Sequence, residues 1–313
     1  MKTILITGAT GFVGTYLATN LLSRHDCHVI GTSLSGKSTS QENLEIVTLN
    51  LLDGASVEKL IVEKKPDEIY HLAALSSPKQ SFINPSETMT NNITAEVNIL
   101  EALRKNNMQS TKVLITSSAE VYGLVSQDDL PIDENTALNP TNPYAVSKIA
   151  QDFLGLQYHL SYKLHVIRVR PFNHIGPGQT PQFVVAAFAK RIVDIEKGTL
   201  DVLTVGSLDA KRDFTDVRDM IVAYELLMQK GVSGEVYNIG SGISHKISEI
   251  LDILLSFVTK KITVQRDVNL LLTADNPELV CDPSKMKAIT GWEPKISIQQ
   301  TLKDTLDYWR NIE

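Results

Sequence analysis

Short apolar runs alternate with longer helix-patterned stretches along the first half of the chain. Thr3–Thr7, His28–Thr32, Ile46–Leu49, Glu68–Leu72, Lys112–Thr116 and His165–Val169 read as strands. Phe12–Arg24, Ala55–Lys64, Thr88–Lys105 and Tyr144–Tyr162 read as helices between them. Strands apolar throughout are buried on both faces, and interleaved helices supply the cover. The pattern predicts an α/β fold with a doubly wound parallel sheet, whose ligands sit at the carboxyl ends of its strands.

After Arg170 the texture changes. Pro171, Gly176, Pro177, Gly178 and Pro181 break regular structure. A helix over Val184–Lys197 follows, then short runs at Leu200–Val205 and Glu235–Ile239. Amphipathic helices are expected at Ile247–Val258 and Ile298–Arg310. The expected division is a first domain over 1–170 and a smaller α/β region over 171–313, with 214–240 a candidate to return to the first. Ser35–Gln41 reads as a polar loop, and no repeat is visible.

Composition narrows this little but excludes several classes. The 313 residues are 42% hydrophobic and 21% charged, ordinary for a globular enzyme. A formal charge of −6 argues against a nucleic-acid partner, which wants a basic surface. Cys27 and Cys281 are too few and too far apart for a disulfide framework or zinc spacing, so no metal site is expected. No apolar run approaches the roughly 20 residues of a membrane span. The apolar start lacks a basic lead and meets Gly8 early, so it reads as a strand, with the cytoplasm as the expected compartment.

The chemistry begins at that strand, in MKTILITGATGFVG. Gly8 lets the chain turn, Gly11 lets a pyrophosphate approach the backbone, and Gly14 lets the helix lie close to the strand. Free N–H groups at the helix start then face the phosphates. A purely structural turn is the bland alternative. The segment Gly31–Lys37 after the second strand carries no acid to bind a ribose 2′-hydroxyl. Ser33, Ser35 and Lys37 could receive a 2′-phosphate, favouring NADPH, with NADH left open for want of an arginine.

The spacing G-x-x-G-x-x-G, and TGATGFVG in particular, resembles the extended branch of the short-chain dehydrogenase/reductase superfamily. That resemblance implies a Rossmann-type, NAD(P)-binding first domain and a sugar-nucleotide-binding second region. It implies cofactor contacts from Gly8, Gly11, Phe12, Val13, Gly14, Ser33, Leu51, Leu72, Ala73 and Ala74. Asn50 stands where the superfamily usually has Asp, and its amide oxygen can still accept a hydrogen bond from the adenine amino group.

The fifth strand ends in Ser117-Ser118-Ala119-Glu120, and Tyr144 and Lys148 follow as Y-x-x-x-K. Residues four apart share a helix face. A phenol with a pKa near 10 is a poor proton carrier at neutral pH, and a nearby ammonium is expected to draw it down. Ser118 can donate a hydrogen bond to a carbonyl being reduced. A surface Tyr–Lys pair would show the same spacing. With the glycine turn and Ser118 in chain order, the trio resembles the superfamily's catalytic set, with Tyr144 and Lys148 also touching the cofactor.

Two further stretches resemble nucleotide-sugar enzymes. Lys211–Val217 is similar to their R-D-F-x-x-V segment, which implies that Arg212 pairs with a diphosphate. Arg170–Gln179 resembles the GDP-4-keto-6-deoxymannose reductases and implies that Asn173 binds sugar or diphosphate; His174 is given no catalytic role. Ser76, Ser118, Glu120 and Tyr144 complete the implied substrate contacts, and Asp275 could hold a ribose diol. Leu272 stands where that group usually shows an Arg, which leaves dTDP- or UDP-sugars open. Glu120 keeps a 4,6-dehydratase or 4-epimerase in view, since such enzymes use Glu there as a base. A non-enzymatic NADP-binding protein would not need the trio. The expectation is an oxidoreductase of deoxysugar biosynthesis, acting on a nucleotide-diphosphate sugar. Resemblance further implies a homodimer, through a four-helix bundle of Thr88–Lys105 and Tyr144–Tyr162.

Overall fold

A computed structural model describes residues 1–24, 26–36, 39–267 and 276–312. Its first half runs β1 (Lys2–Thr7), α1 (Phe12–Leu22), β2 (Cys27–Ser33), β3 (Thr39–Gln41), β4 (Leu44–Thr48), α2 (Gly54–Lys64), β5 (Glu68–His71), α3 (Pro78–Ile83), α4 (Pro85–Lys105), β6 (Lys112–Thr116), α5 (Pro143–Tyr162) and β7 (His165–Pro171). It continues as β8 (Asn173–Ile175), α6 (Val184–Glu196), β9 (Val202–Val205), β10 (Lys211–Asp216), α7 (Val217–Lys230), β11 (Val236–Ile239), β12 (Ser244–Lys246), α8 (Ile247–Ser256), β13 (Thr263–Arg266), β14 (Glu278–Leu279), α9 (Ser284–Thr290) and α10 (Ile298–Asn311).

The main sheet has the order β11-β7-β6-β5-β1-β2-β4-β3. Seven strands are parallel, and β3 alone runs antiparallel, against β4. This is the doubly wound sheet that the apolar runs predict. Strand interiors such as Ile4, Leu5 and Ile6 alternate between two cores, one on each face. One face is covered by α1 and α7, the other by α2, α4 and α5. The β3 strand corrects the expected loop over Ser35–Gln41. An edge strand pairs on one side only and needs no apolar run to announce it.

The chain leaves this sheet after β7 and comes back. Helix α7 packs on the α1 face, and β11 pairs in parallel with β7 from Val236–Arg168 to Ile239–Pro171. The remaining elements build a second core from α6, α8 and α10. A small sheet, β12-β10-β14, carries β8 beside β10 and lies over the carboxyl ends of the main strands. No helix among the described residues is long and apolar enough to cross a membrane.

One buried ionic cluster joins α5 to β7. Asp152 is fully buried and accepts from Arg168 at 2.5 Å and from Arg170 at 2.6 Å. Arg168 also donates to the Gly234 carbonyl and Arg170 to the Tyr122 hydroxyl. Asp152→Ala leaves two guanidinium groups buried without their shared carboxylate. It should cost about 3–5 kcal/mol of stability, read as a lower urea midpoint at unchanged slope.

Candidate active site

The carboxyl ends of β1, β2, β5 and β6 open into one cleft of about 580 Å³. Its floor at one end is the glycine turn. Gly8 has φ +70°, a conformation that disfavours any side chain, and a Cβ there would lie 3.0 Å from the Ala73 Cα. A Cβ on Gly14 would lie 2.3 Å from the Gly8 carbonyl, so only glycine lets α1 approach β1 this closely. Helix α1 begins at Phe12 without a side-chain cap. The N–H groups of its first turn have no acceptor within the helix, and Phe12, Val13 and Gly14 line the cleft.

The end of β2 forms the next part of the wall. The Ser33 hydroxyl donates to the Ser35 carbonyl at 2.8 Å and lies 3.0 Å from the Thr10 hydroxyl. No carboxylate stands in the described part of this stretch, and Lys37 lies outside the described residues. Asn50 lines the cleft, but its side-chain oxygen already accepts the Leu52 N–H at 3.0 Å. An amide oxygen has a second lone pair with which to accept another hydrogen bond. Leu51, Leu72, Ala73, Ala74 and Ser76 also line this wall.

At the other end stand Ser118, Glu120, Tyr144, Lys148 and Asn173. Ser118 follows β6 and caps a short turn, its hydroxyl accepting the Glu120 N–H at 3.2 Å. Pro143 starts α5, and the Asn142 side chain caps it by accepting the Ala145 N–H at 2.8 Å. That start puts Tyr144 in the first turn and Lys148 one turn on. The Asn142 amide also donates to Glu120 Oε2 at 3.0 Å. Asn173 donates to the Asp213 carbonyl at 3.4 Å.

Burial governs the electrostatics here. Tyr144 is 8% exposed, and desolvation pushes its phenol well above the usual 10. The Ser118 hydroxyl opposes that rise and Glu120 adds to it. Desolvation pushes Lys148 down to about 8, against the pull of Glu96. Lys148 Nζ donates to the Thr116 carbonyl at 2.7 Å and lies 5.9 Å from the Tyr144 ring centre. The expectation that the ammonium draws the phenol toward neutral pH is therefore corrected. Nζ is turned to a main-chain carbonyl, and desolvation outweighs it at Tyr144.

One expected substrate contact is absent from the lining of the cleft. Arg212 does not line the cleft; its guanidinium donates to the carbonyls of Lys211 and Asn276, both at 2.8 Å. Asp275 and Leu272 lie outside the described residues. Thr10, Gln179 and Tyr224 line the cleft without having been singled out, and so does His174, which is given no catalytic role. His174 stacks on Phe12 with ring centres 6.1 Å apart, and its Nδ1 is 3.3 Å from the Phe172 carbonyl. Gln179 donates to the His174 carbonyl at 2.9 Å. Both fall within the stretch read as Arg170–Gln179. Tyr224 arrives on α7 with nothing local to mark it.

Comparison with known proteins agrees in kind. A family model described as GDP-mannose 4,6 dehydratase matches residues 5–305. The GDP-6-deoxy-D-mannose reductase of Pseudomonas aeruginosa is 34% identical over 310 residues, 98% of this chain and 97% of that protein. The structure of RMD from Pseudomonas aeruginosa complexed with NADPH superposes with a TM-score of 0.87 at 33% identity, covering 99% of each chain. The GDP-mannose 4,6-dehydratase of Vibrio cholerae is 28% identical over 342 residues, 96% of this chain and 91% of that protein.

The close approach of α1 to β1 is testable. Gly14→Ala should destabilise the protein by about 1–3 kcal/mol through overpacking and weaken NADPH binding, read by thermal melts and by cofactor fluorescence titration.

Proposed function

The chain belongs to the GDP-mannose 4,6 dehydratase family, and on that premise we propose that it is an NADPH-dependent 4-reductase of GDP-4-keto-6-deoxy-D-mannose. The observation that carries this reading is a single cleft with a glycine turn at one end and Ser118, Tyr144 and Lys148 at the other. The 34% identity to a GDP-6-deoxy-D-mannose reductase supports the substrate class.

The residues fit a dinucleotide. The turn has no room for a Cβ at Gly14 and leaves uncapped N–H groups for phosphate. The acid-free end of β2 suits a 2′-phosphate. NADPH, when bound, supplies the hydride for the C4 carbonyl carbon. The Ser118 hydroxyl donates to O4 and aligns the carbonyl. Tyr144 gives its proton to O4 as charge develops there. Tyr144 carries its proton at neutral pH, burial holding the phenol above its usual pKa, and it gives that proton up only as O4 gains charge. The positive charge of Lys148 then stabilises the phenolate, which solvent reprotonates after release. Ser76 and Asn173 line the cleft where sugar and diphosphate would lie.

A second reading keeps Glu120 as the base of a 4,6-dehydratase with tightly bound NAD. Glu120 lines the cleft, but one carboxylate oxygen is engaged with Asn142, the cap of α5. That engagement favours a positioning role. In the reductase reading, NADPH absorbance falls in proportion to GDP-4-keto-6-deoxymannose added, and NMR shows a 6-deoxyhexose. A dehydratase would instead consume GDP-mannose with no net nicotinamide change. Tyr144→Phe should lose about 10²–10⁴ in turnover while NADPH still binds; unaltered turnover would remove Tyr144 from the chemistry.

We also place the protein in the cytoplasm, where two free buried cysteines suit a reducing compartment. The homodimer proposal rests on the outer face of α5. Val146, Phe153 and Leu160 are exposed at seven-residue spacing, one stripe along the helix. Phe153→Glu should convert a dimer into a monomer by sedimentation; a wild-type protein that sediments as a monomer refutes the arrangement.

A further inference from the structure

Glu120 is an acid at the reacting end of the cleft, and a residue outside the cleft holds its carboxylate. It lies two residues after Ser118, in the short turn Ala119–Tyr122. Val121 and Tyr122 are fully buried there, and the Tyr122 hydroxyl is bonded to Asn238 at 2.7 Å and to Arg170 at 3.0 Å. The main chain of the turn is therefore fixed, and what can vary is where the Glu120 carboxylate points.

That direction is set by Asn142, which is buried and does not line the cleft. Its amide is oriented by its two partners. The Ala145 N–H can only donate, so the side-chain oxygen faces it, at 2.8 Å. The amide nitrogen is left for Glu120 Oε2, at 3.0 Å, and a carboxylate can only accept. Asn142 cannot drift from the turn either. The Asn139 N–H donates to the Tyr122 carbonyl and the Leu124 N–H to the Asn139 carbonyl, both at 3.2 Å, so the segment leading into α5 is fastened to the same turn. Both ends of the Asn142–Glu120 bond are held.

A sugar with its carbonyl at C4 makes this bond matter. Its C–H bonds at C3 and C5 are acidic, because the electron pair left behind passes to O4. The groups that stabilise charge on O4 during reduction, Ser118 and Tyr144, would stabilise that enolate too. A carboxylate free to turn onto one of these C–H bonds is placed to take its proton. We propose that Asn142 selects the reaction: by holding the Glu120 carboxylate against the start of α5, it keeps a base off the carbons that flank the carbonyl, and the bound sugar is reduced without losing a proton from carbon. Asn142 acts through Glu120 and is a positioning residue. Releasing Glu120 opens the other course. The C–H bond breaks, its proton passes to a carboxylate oxygen, and its electron pair forms the enolate with charge on O4. The return step places a proton of solvent origin on the same carbon, with no net oxidation or reduction.

This inference rests on the reductase reading for its sugar, and the test keeps the two apart. GDP-4-keto-6-deoxymannose is incubated in heavy water with wild type or Asn142→Ser and with oxidised NADP, which has no hydride to give. Deuterium entering the sugar is followed by NMR and mass spectrometry. Serine caps a helix as asparagine does, but it is shorter and carries no amide. Wild type should exchange at the rate seen without enzyme, and Asn142→Ser about tenfold faster or more. Adding Glu120→Gln to Asn142→Ser should abolish that gain. A merely structural Asn142 would leave exchange unmoved, since the cap is kept. A folded Asn142→Ser that exchanges no faster than wild type overturns the proposal, and so does a gain that survives Glu120→Gln. Should the serine variant not fold, Asn142→Thr, which caps in the same way, must show the gain. The reductase reading fails separately, if wild type leaves NADPH unconsumed with the same sugar, and the exchange comparison then still decides the role of Asn142.

Discussion

Asn142 ties together the two halves of the reacting end of the cleft. Its side-chain oxygen ends the loop and starts α5, and its amide holds Glu120 in the turn that follows β6. Tyr144 and Lys148 thereby stand at a fixed distance from Ser118. Two further bonds reinforce the joint, from Lys148 Nζ to the Thr116 carbonyl and from the Ser117 hydroxyl to the Lys148 carbonyl. The helix start and the strand end behave as one piece. Side chains placed this way are held by secondary structure on both sides, which keeps their geometry tight.

The other constraint is burial. A parallel sheet covered on both faces places its strand ends deep in the protein, and Tyr144, Lys148 and His71 are desolvated there. Burial holds Tyr144 protonated, pushes Lys148 toward neutrality, and keeps His71 uncharged. The same burial that stabilises the fold therefore sets the resting protonation state of the groups at this end of the cleft.

Much of this is legible in the residues alone. The β1 run and the three glycines announce themselves because strand, turn and helix start are local, and each glycine answers a steric demand that the structure displays at Gly8 and Gly14. Tyr144 and Lys148 are legible because a helix brings residues four apart together. What the residues alone do not show has a different cause. Arg212 looks like an anion ligand in sequence, and only the structure shows its guanidinium donating to main-chain carbonyls, one of them from Asn276, far along the chain. The direction of Lys148 Nζ is set by a carbonyl on another element. Strand β3 pairs at an edge, where apolar periodicity has nothing to report.

The return of the chain to its first sheet has a consequence for synthesis. Strand β7 finishes at Pro171, but its open side is covered only by β11, which ends at Ile239. A nascent chain emerging from the ribosome therefore carries a nearly complete sheet with one raw margin for dozens of codons. Closing it requires contacts of long sequence separation, which form late. A fragment stopped at the end of β7 would present that margin to its neighbours and invite intermolecular pairing.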